Sequence, residues 1–244
     1  MSRSPAAIII GAGDATGGAI ARAFAAEGLT ACVNRRSRNS GQLEALAQSI
    51  CDQGCKSRAF PGDARNEDEM IALFAQVEAD VGPVEVAVFN IGANVNFPIT
   101  ETTVRVYQKV WEMGSLGGFL MGREAARHMI PRGRGTILFT GATASLRGGS
   151  GFAAFSGAKA ALRMLAQSMA RELGPKGIHV AHTVIDGAID TEFIKDRHPA
   201  FEEAKAAHLI LSPDAIAANY VMLHKQPKSA WTHELDLRPW GENW

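Results

Sequence analysis

Residues 8–28 read IIIGAGDATGGAIARAFAAEG, and this segment determines how the rest of the chain is interpreted. The apolar run Ala6–Ile10 shows no alternation, which is typical of a strand covered by helices on both faces. A glycine-rich turn follows, and apolar residues then recur with helical spacing over Gly17–Glu27. A helix that begins directly after such a turn points its free N–H groups at an anion. The segment therefore predicts a βα unit that binds the pyrophosphate of a dinucleotide.

Short apolar segments alternate with longer helical segments along the rest of the chain. The predicted strands are Ala6–Ile10, Thr30–Asn34, Lys56–Phe60, Val84–Phe89, Thr136–Thr140, His179–Val184 and His233–Leu237. The predicted helices lie near Gly17–Glu27, Gln42–Asp52, Asn66–Val81, Thr103–Met129, Gly151–Leu173 and Pro213–Leu223. This order is typical of repeated βαβ units. We therefore predict an α/β fold with a doubly wound, Rossmann-type parallel sheet of about seven strands, in which residues 1–244 form a single domain.

Residues 190–212 follow the sixth predicted strand and show no clear periodicity. In an open α/β sheet, ligands bind beyond the carboxyl ends of the strands. The segment is therefore a candidate substrate lid, and an ordinary surface loop with a short helix is the alternative.

The composition excludes several classes of protein. Of the 244 residues, 46% are hydrophobic and 20% charged, so the chain can fill a core and does not resemble a disordered protein. Its 25 Lys and Arg balance 25 Asp and Glu, without the basic excess typical of nucleic-acid binding. No apolar stretch reaches the roughly 18 residues that span a bilayer, and the N-terminus lacks a signal-peptide pattern. We expect a cytoplasmic protein that binds neither nucleic acid nor a membrane.

The cysteines indicate a reducing compartment and no metal site. Cys32, Cys51 and Cys55 are an odd number in a long chain. The pair Cys51 and Cys55 has no nearby histidine or second cysteine pair that would complete a metal site. We therefore expect all three cysteines to be reduced and structural.

Aligned on its helix, the glycine-rich turn resembles the G-x-x-x-G-x-G turn of the short-chain dehydrogenase/reductase family. Gly11, Ala15 and Gly17 stand at the three glycine positions, so alanine replaces the middle glycine. A methyl group at this position crowds the backbone but need not exclude a cofactor.

The resemblance continues along nearly the whole chain. PGDARNED places Asp63 at the aspartate that contacts the adenine in this family, and FNIGAN places Asn90 and Gly92 at the family's N-A-G element. DGAIDT resembles the family's P-G-x-I-x-T turn, with Asp186 in place of proline. The resemblance implies a nicotinamide dinucleotide cofactor and a small-molecule substrate. The expected cofactor-binding residues are Gly11, Asp14, Ala15, Thr16, Gly17, Asn34, Arg35, Arg36, Asp63, Ala64, Asn90, Gly92, Lys159, Gly187, Ile189 and Thr191.

The end of the second predicted strand distinguishes between the two dinucleotides. An acidic residue at this point binds the ribose 2′-hydroxyl and repels a 2′-phosphate. The chain instead has Asn34, Arg35 and Arg36, and arginine binds phosphate through paired charge-assisted hydrogen bonds. We therefore predict NADP as the cofactor. NAD remains possible, because Asp14 stands where many NADP-dependent relatives have a basic residue.

Three of the family's four catalytic positions hold residues that lack its usual chemistry. Most members use a Tyr-x-x-x-Lys pair, in which the lysine lies one helical turn from the phenol and lowers its pKa. Here Lys159 is retained, and Phe155 stands at the tyrosine position. Ala142 occupies the serine position, and Gly114 occupies the position of an asparagine that helps to hold a water.

Other residues near the expected nicotinamide carry polar groups. Thr143 is a possible hydrogen-bond donor to the substrate, and Asp186 is a possible proton donor. Two classes of function therefore stay open. The first is an NADP-dependent oxidoreductase with a non-standard active site that acts on a small carbonyl, alcohol or enone. The second is a non-catalytic dinucleotide-binding sensor, or an inactive subunit that partners an active relative.

The two longest predicted helices indicate self-association. Thr103–Met129 and Gly151–Leu173 carry many glycines and alanines, which permit close helix packing. The family resemblance points the same way. We predict a homotetramer or a homodimer built on these helices.

Overall fold

The computed structural model describes residues 4–242 of the chain. It contains a seven-stranded sheet with the order β3-β2-β1-β4-β5-β6-β7, and neighbouring strands pair in parallel. The strands are β1 (Ala6–Ile10), β2 (Thr30–Arg35), β3 (Ser57–Pro61), β4 (Val84–Phe89), β5 (Gly135–Thr140), β6 (Ile178–Ile185) and β7 (Glu234–Leu237). The helices are α1 (Thr16–Ala26), α2 (Ser40–Asp52), α3 (Glu67–Asp80), α4 (Val104–Trp111), α5 (Gly117–Met129), α6 (Ala153–Leu173), α7 (Glu192–Lys195), α8 (Phe201–Ala206) and α9 (Pro213–Lys225). The predicted doubly wound α/β fold is confirmed.

Each face of the sheet is covered by its own helices. Successive side chains of a strand point to opposite faces, so Ile8 and Ile10 join one core while Ile9 joins the other. The first core contains buried side chains of α3, α5 and α6, and the second contains those of α1, α2 and α9. Because both faces of the strands are buried, a continuous apolar sequence such as Ile8–Ile10 forms a strand here.

The strand order creates a crevice between β1 and β4. From β1 the chain passes outward to β2 and β3, and it then returns to place β4 on the other side of β1. The connections that follow β1 and β4 consequently leave the sheet in opposite directions. Such a point of reversal is where ligands bind in open α/β sheets.

The long helix predicted over Thr103–Met129 is divided in the structure. α4 ends at Trp111, a π-helical turn spans Glu112–Leu116, and α5 then begins at Gly117. A π turn inserts one extra residue into the helical ladder and often lies near a functional site. Helical periodicity alone does not reveal such an insertion, so the sequence pattern was continuous across it.

Among the helices within residues 4–242, none combines the length and apolar character that crossing a membrane requires.

Candidate active site

A cleft of about 740 Å³ lies beyond the carboxyl ends of β1, β4, β5 and β6. Its walls come from the glycine-rich turn, from the segments that follow β4, β5 and β6, and from the start of α6. Most residues of the expected cofactor site line this cleft. They are Gly11, Asp14, Ala15, Thr16, Gly17, Asn90, Gly92, Lys159, Gly187, Ile189 and Thr191.

The glycine-rich turn is shaped by its own backbone. Gly11 has a positive φ of 83°, and a Cβ atom at Gly17 would clash with the Gly11 carbonyl oxygen. The Gly13 N–H donates to the Gly11 carbonyl at 2.9 Å, and the Gly18 N–H donates to the Gly13 carbonyl at 2.7 Å. A Cβ at Gly13 would meet no atom within 4 Å, so this part of the turn faces open space. The turn therefore leaves room for a ligand beside Gly13.

The N-terminus of α1 differs from that of α3 in its polar partners. The first turn of α1 has neither a side-chain cap nor an acidic residue. At α3, by contrast, the Asn66 side chain accepts from the backbone N–H groups of Asp68 and Glu69, and the first turn carries three acids. Because the opening N–H groups of a helix need partners from elsewhere, the bare end of α1 suits an anion in the cleft. The residues present therefore fit a dinucleotide pyrophosphate.

Two arginines follow β2 beside the glycine-rich turn. A guanidinium nitrogen of Arg35 lies 3.7 Å from a carboxylate oxygen of Asp14 and donates to Gln42 at 3.1 Å. Burial and the nearby Arg38 lower the pKa of the Arg36 guanidinium. Arg35 therefore brings positive charge to the glycine-rich turn, whereas Arg36 lies among Arg38, Asp63 and Arg65, and neither arginine lines the cleft itself.

Asn34, Asp63 and Ala64 also lie outside the cleft lining. Asn34 is buried, and its amide donates to the Phe60 carbonyl at 2.8 Å, so this side chain ties β2 to β3. Asp63 forms a 2.6 Å ion pair with Arg65, whose hydrogen bond holds the pKa of the aspartate below its usual range. Ala64 packs in the core. The structure thus assigns local structural contacts to these three side chains, and their contact with a cofactor stays a prediction.

Lys159, on α6, is buried at the wall of the cleft, with 2% of its surface exposed. Its ammonium group donates to the carbonyls of Ile91 at 2.9 Å and Thr140 at 2.8 Å. Burial lowers the pKa of this ammonium group to about 7. Phe155 lies one helical turn away, and the centre of its ring is 6.0 Å from the lysine nitrogen. Ala142 lines the same cleft, so these three family positions come together.

Gly114, the fourth family position, lies in the π-helical turn and outside the cleft lining. A Cβ at this glycine would lie 3.0 Å from the Cβ of Ala158, which is closer than ordinary packing allows. The absence of a side chain therefore lets the π turn approach α6.

Asp186 accepts a short hydrogen bond from the Thr143 hydroxyl and is only 2% exposed. Guanidinium nitrogens of Arg147 and Arg238 each lie 3.6 Å from its second carboxylate oxygen. The buried carboxylate of Asp186 therefore lies among one hydroxyl group and two guanidinium groups. These contacts engage the hydroxyl of Thr143, and proton donation by Asp186 stays a prediction.

Sequence reasoning missed several polar residues of the cleft, among them Arg147 and Ser156. Arg147 lines it with about half of its side chain exposed. Ser156 also lines it, and its hydroxyl oxygen is buried without a hydrogen-bond partner within residues 4–242. Ser156 lies within the predicted helix Gly151–Leu173 and Arg147 lies before it, and each stands within a few residues of a family position, which was an available signal.

Residues 190–212 form two short helices beside the cleft, α7 and α8. The Thr191 hydroxyl accepts from the backbone N–H of Ile194 and thereby begins α7, and both residues line the cleft. Lys205 forms a 2.7 Å ion pair with Asp190. The segment is thus a folded wall with local contacts of its own.

Comparison with known proteins supports a single family. Residues 5–201 match the sequence profile described as short chain dehydrogenase. A short-chain dehydrogenase/reductase of Hericium erinaceus is 34% identical over 196 residues, which cover 78% of this chain and 77% of that protein. A solved short-chain dehydrogenase from Rhodopseudomonas palustris is 50% identical with a TM-score of 0.83, over 98% of this chain and 100% of the other. A 7α-hydroxysteroid dehydrogenase, solved with NADH and 7-oxo glycochenodeoxycholic acid, is 26% identical with a TM-score of 0.87, over 97% and 93%.

Proposed function

Because this chain belongs to the short-chain dehydrogenase family, we propose that it is an NADP-dependent oxidoreductase with a non-standard active site. Its substrate in this proposal is a small carbonyl compound, alcohol or enone. The observation that carries the proposal is one cleft with the uncapped N-terminus of α1 at one end and the buried ammonium group of Lys159 at the other. A bound nicotinamide dinucleotide would supply or accept the hydride.

Different residues of this chain would bind different parts of the cofactor. The first N–H groups of α1 would bind the pyrophosphate, with Gly13 leaving the space for it. Lys159 would contact the nicotinamide ribose, and Gly187, Ile189 and Thr191 would contact the nicotinamide itself, as the family resemblance implies. We keep Asp63 as a candidate adenine contact on the same basis.

The preference for NADP rests on the residues after β2. Arg35 and Arg36 provide guanidinium groups there, and no acid at the end of the strand would repel a 2′-phosphate. The related 7α-hydroxysteroid dehydrogenase structure contains NADH, so the family alone does not decide between the two dinucleotides.

Lys159 is the group that we assign to proton transfer. Two of its three N–H bonds are directed at the carbonyls of Ile91 and Thr140, which leaves the third for the cleft. A pKa of about 7 means that both protonation states are populated near neutral pH, as a general acid or base requires. The Phe155 ring covers one side of the ammonium group and would keep water from it.

We also propose that the chain acts as one domain, with residues 190–212 as a substrate lid, and that it forms a homodimer or homotetramer. Tyr107, Trp111, Phe119 and Met164, on α4, α5 and α6, are between 42% and 50% exposed. Burial of these large apolar side chains would favour association through the helices. Light scattering that shows only the mass of one chain at micromolar concentration would contradict the oligomer.

Titration with NADPH and NADH, followed by nicotinamide fluorescence, tests cofactor binding. We expect NADPH to bind about tenfold or more tightly than NADH, since a charge-assisted hydrogen bond contributes roughly 1.5–3 kcal/mol. Gly13→Asp places a carboxylate beside the α1 N-terminus, and Gly13→Asn is its uncharged control of the same shape. The aspartate variant should bind both dinucleotides at least about tenfold more weakly than the asparagine variant, because its charge opposes the pyrophosphate.

A panel of carbonyl compounds and enones with NADPH then tests catalysis. Slow oxidation of NADPH with at least one compound is the expected result. Binding without turnover of any compound would favour the non-catalytic sensor or inactive subunit. Failure to bind either dinucleotide would refute the proposal altogether.

A further inference from the structure

The charged side chains of the cleft differ in how many polar partners they have. Its charged lining residues within the described part of the chain are Asp14, Arg147 and Lys159. Asp14 lies in the glycine-rich turn beside Arg35, and Lys159 donates to two backbone carbonyls. The Arg147 side chain makes no hydrogen bond within residues 4–242, and 51% of it is exposed. Lys159 thus keeps one N–H donor for the cleft, whereas the exposed guanidinium group of Arg147 keeps several donors for a ligand.

The guanidinium group of Arg147 contacts a buried carboxylate, that of Asp186. Asp186 lies 3.6 Å from one of its terminal nitrogens and is itself held by the Thr143 hydroxyl. Arg238 flanks the same carboxylate and also pairs with Asp236. The Arg147 backbone N–H donates to the Thr143 carbonyl at 3.1 Å. Only the Asp186 contact engages the guanidinium group, whose other N–H donors make no hydrogen bond within residues 4–242.

The walls of this end of the cleft are otherwise mainly apolar. Phe152 and Phe155 contribute aromatic rings from the start of α6, and Ile189 and Ile194 contribute aliphatic side chains from the segment after β6. A guanidinium group beside apolar side chains suits an organic anion with an apolar body, because arginine binds a carboxylate through two parallel hydrogen bonds.

We propose that Arg147 binds a carboxylate of the substrate, so that the substrates of this enzyme are oxo carboxylates and the corresponding hydroxy carboxylates. This inference rests on the proposed function and specifies its substrate class. The carboxylate contacts Arg147, the apolar body lies against Phe152 and Ile194, and the reacting carbon faces Lys159. The reaction then remains a reversible hydride transfer, and Arg147 is a specificity-determining residue with no part in the proton transfer.

Three pairs of probes test the assignment, each consisting of a carboxylate and its methyl ester. The acids are 4-oxopentanoate, 3-benzoylpropionate and 2-oxo-4-phenylbutanoate, and their affinities are measured by calorimetry with saturating NADP⁺, whose oxidised nicotinamide prevents turnover. We expect the acid to bind at least about tenfold more tightly than its ester in at least one pair. Arg147→Met should remove this preference and leave the affinity for the ester unchanged, and Arg147→Lys should restore part of it.

A matched control and a second readout keep the outcomes distinct. Arg134→Met removes the same charge at the opposite end of β5, where Arg134 pairs with Glu85. This variant should retain the preference for the acid over its ester.

The affinity of Arg147→Met for NADPH should stay within about threefold of the parent. A larger loss would assign Arg147 to the cofactor's phosphates and overturn the proposal. Equal affinity of acid and ester in every pair would also overturn it. If NADP does not bind at all, the proposed function fails, and the same titrations on the protein alone still decide whether Arg147 recognises carboxylates.

Discussion

The glycine-rich turn after β1 and the wall formed by β5 and α6 line the same cleft but depend on different parts of the chain. The turn presents backbone N–H groups at the start of α1, and these groups stay in place when Ala15 replaces a glycine. The second region, called here the catalytic wall, has Phe155 and Ala142 at two positions where the family resemblance implies side-chain hydroxyl groups. A site built from backbone groups thus keeps its polar groups through substitutions that would remove those of a site built from side chains.

Lys159 would serve both regions, because its ammonium group would contact the cofactor and would also transfer the proton. Its bonds to the carbonyls of Ile91 and Thr140 fix it between the segments that follow β4 and β5. An ammonium group buried in this way remains useful to a cofactor even where the phenol beside it is lost. The comparison predicts that changes at the glycine turn alter binding, that changes at the catalytic wall alter rates, and that Lys159 affects both.

Lys159→Met should have the largest effect. Removal of the proton donor should lower the rate of NADPH-dependent reduction by about 10²–10⁴-fold, the usual contribution of a positioned acid. The affinity for NADPH should fall by less than the rate, because the α1 N-terminus still binds the pyrophosphate. Steady-state kinetics and fluorescence titration measure the two quantities separately, with the melting temperature as a check on folding.

Lys176→Met is the control for this experiment. Lys176 follows α6, is exposed and pairs only with Glu172 among the described residues, so its loss should leave both quantities unchanged. A Lys159→Met enzyme that remains folded and retains a tenth or more of the parent's activity would show that the proton comes from elsewhere.

Replacing Arg35 and Arg36 together by alanine should have the next largest effect, and only on NADPH. Each charge-assisted hydrogen bond to the 2′-phosphate contributes roughly 1.5–3 kcal/mol, so the affinity for NADPH should fall by about 10–100-fold or more. The affinity for NADH should change little, because NADH has a hydroxyl group in place of this phosphate. Equal losses for both dinucleotides would mean that the arginines act on the structure of the turn.

The sequence was sufficient to predict the sheet, and most of the expected cofactor residues line its crevice. Apolar runs such as Ile8–Ile10 indicate strands buried on both faces, and the carboxyl ends of such strands form one edge of the sheet. The spacing of four residues places Phe155 and Lys159 on one face of a helix, and both line the cleft. Fold and cleft follow from patterns that repeat along the chain.

Features that depend on contacts distant in sequence were not predictable in the same way. The Asn34 side chain is engaged by β3, which begins more than twenty residues later. Arg147 faces the cleft because Asp186, on a different strand connection, holds it there. Such pairings are set by tertiary packing, and no local pattern around Asn34 or Arg147 indicates them.

Restoring the two missing hydroxyl groups should strengthen the catalytic wall. Phe155→Tyr with Ala142→Ser places a phenol one helical turn from Lys159 and a hydroxyl group at a second position in the cleft. We expect at least about a tenfold gain in reduction of reactive ketones, a barrier decrease of about 1.4 kcal/mol. Steady-state rates with saturating NADPH measure it, and Phe155→Tyr alone and Ala142→Ser alone are the controls. Unchanged rates with unchanged NADPH binding would contradict the placement of these positions beside the nicotinamide.

The rate of the parent enzyme should depend on pH through Lys159. Reduction requires its protonated form, and burial lowers the pKa of this group to about 7. The rate should therefore be level below pH 7 and fall by about tenfold per pH unit above it, whereas oxidation of an alcohol should show the opposite slope and level off above pH 7. Initial rates from pH 5.5 to 9 in both directions test this, and a flat profile would exclude Lys159 as the proton donor.

The smallest expected effect is a change in stability on adding a side chain at Gly114. A Cβ at this position would lie 3.0 Å from the Cβ of Ala158, so Gly114→Ala should gain helix propensity but lose more through overpacking. We expect a net loss of about 1 kcal/mol, or a decrease of about 2–4 °C in Tm. In the Ala158→Gly background the same change should be neutral or stabilising, because the conflicting methyl group is absent. The double-mutant cycle should then give a coupling free energy of about 1 kcal/mol.

The control is Gly41→Ala, in α2, whose added Cβ would have no atom within 4 Å. This change should instead stabilise the protein by about 0.4–1 kcal/mol. Additive effects at positions 114 and 158 would mean that the π turn moves freely, and an asparagine at position 114 would then fit. A clear coupling would show that the catalytic wall has been repacked around its missing groups, so that restoring the asparagine requires a change in α6 as well.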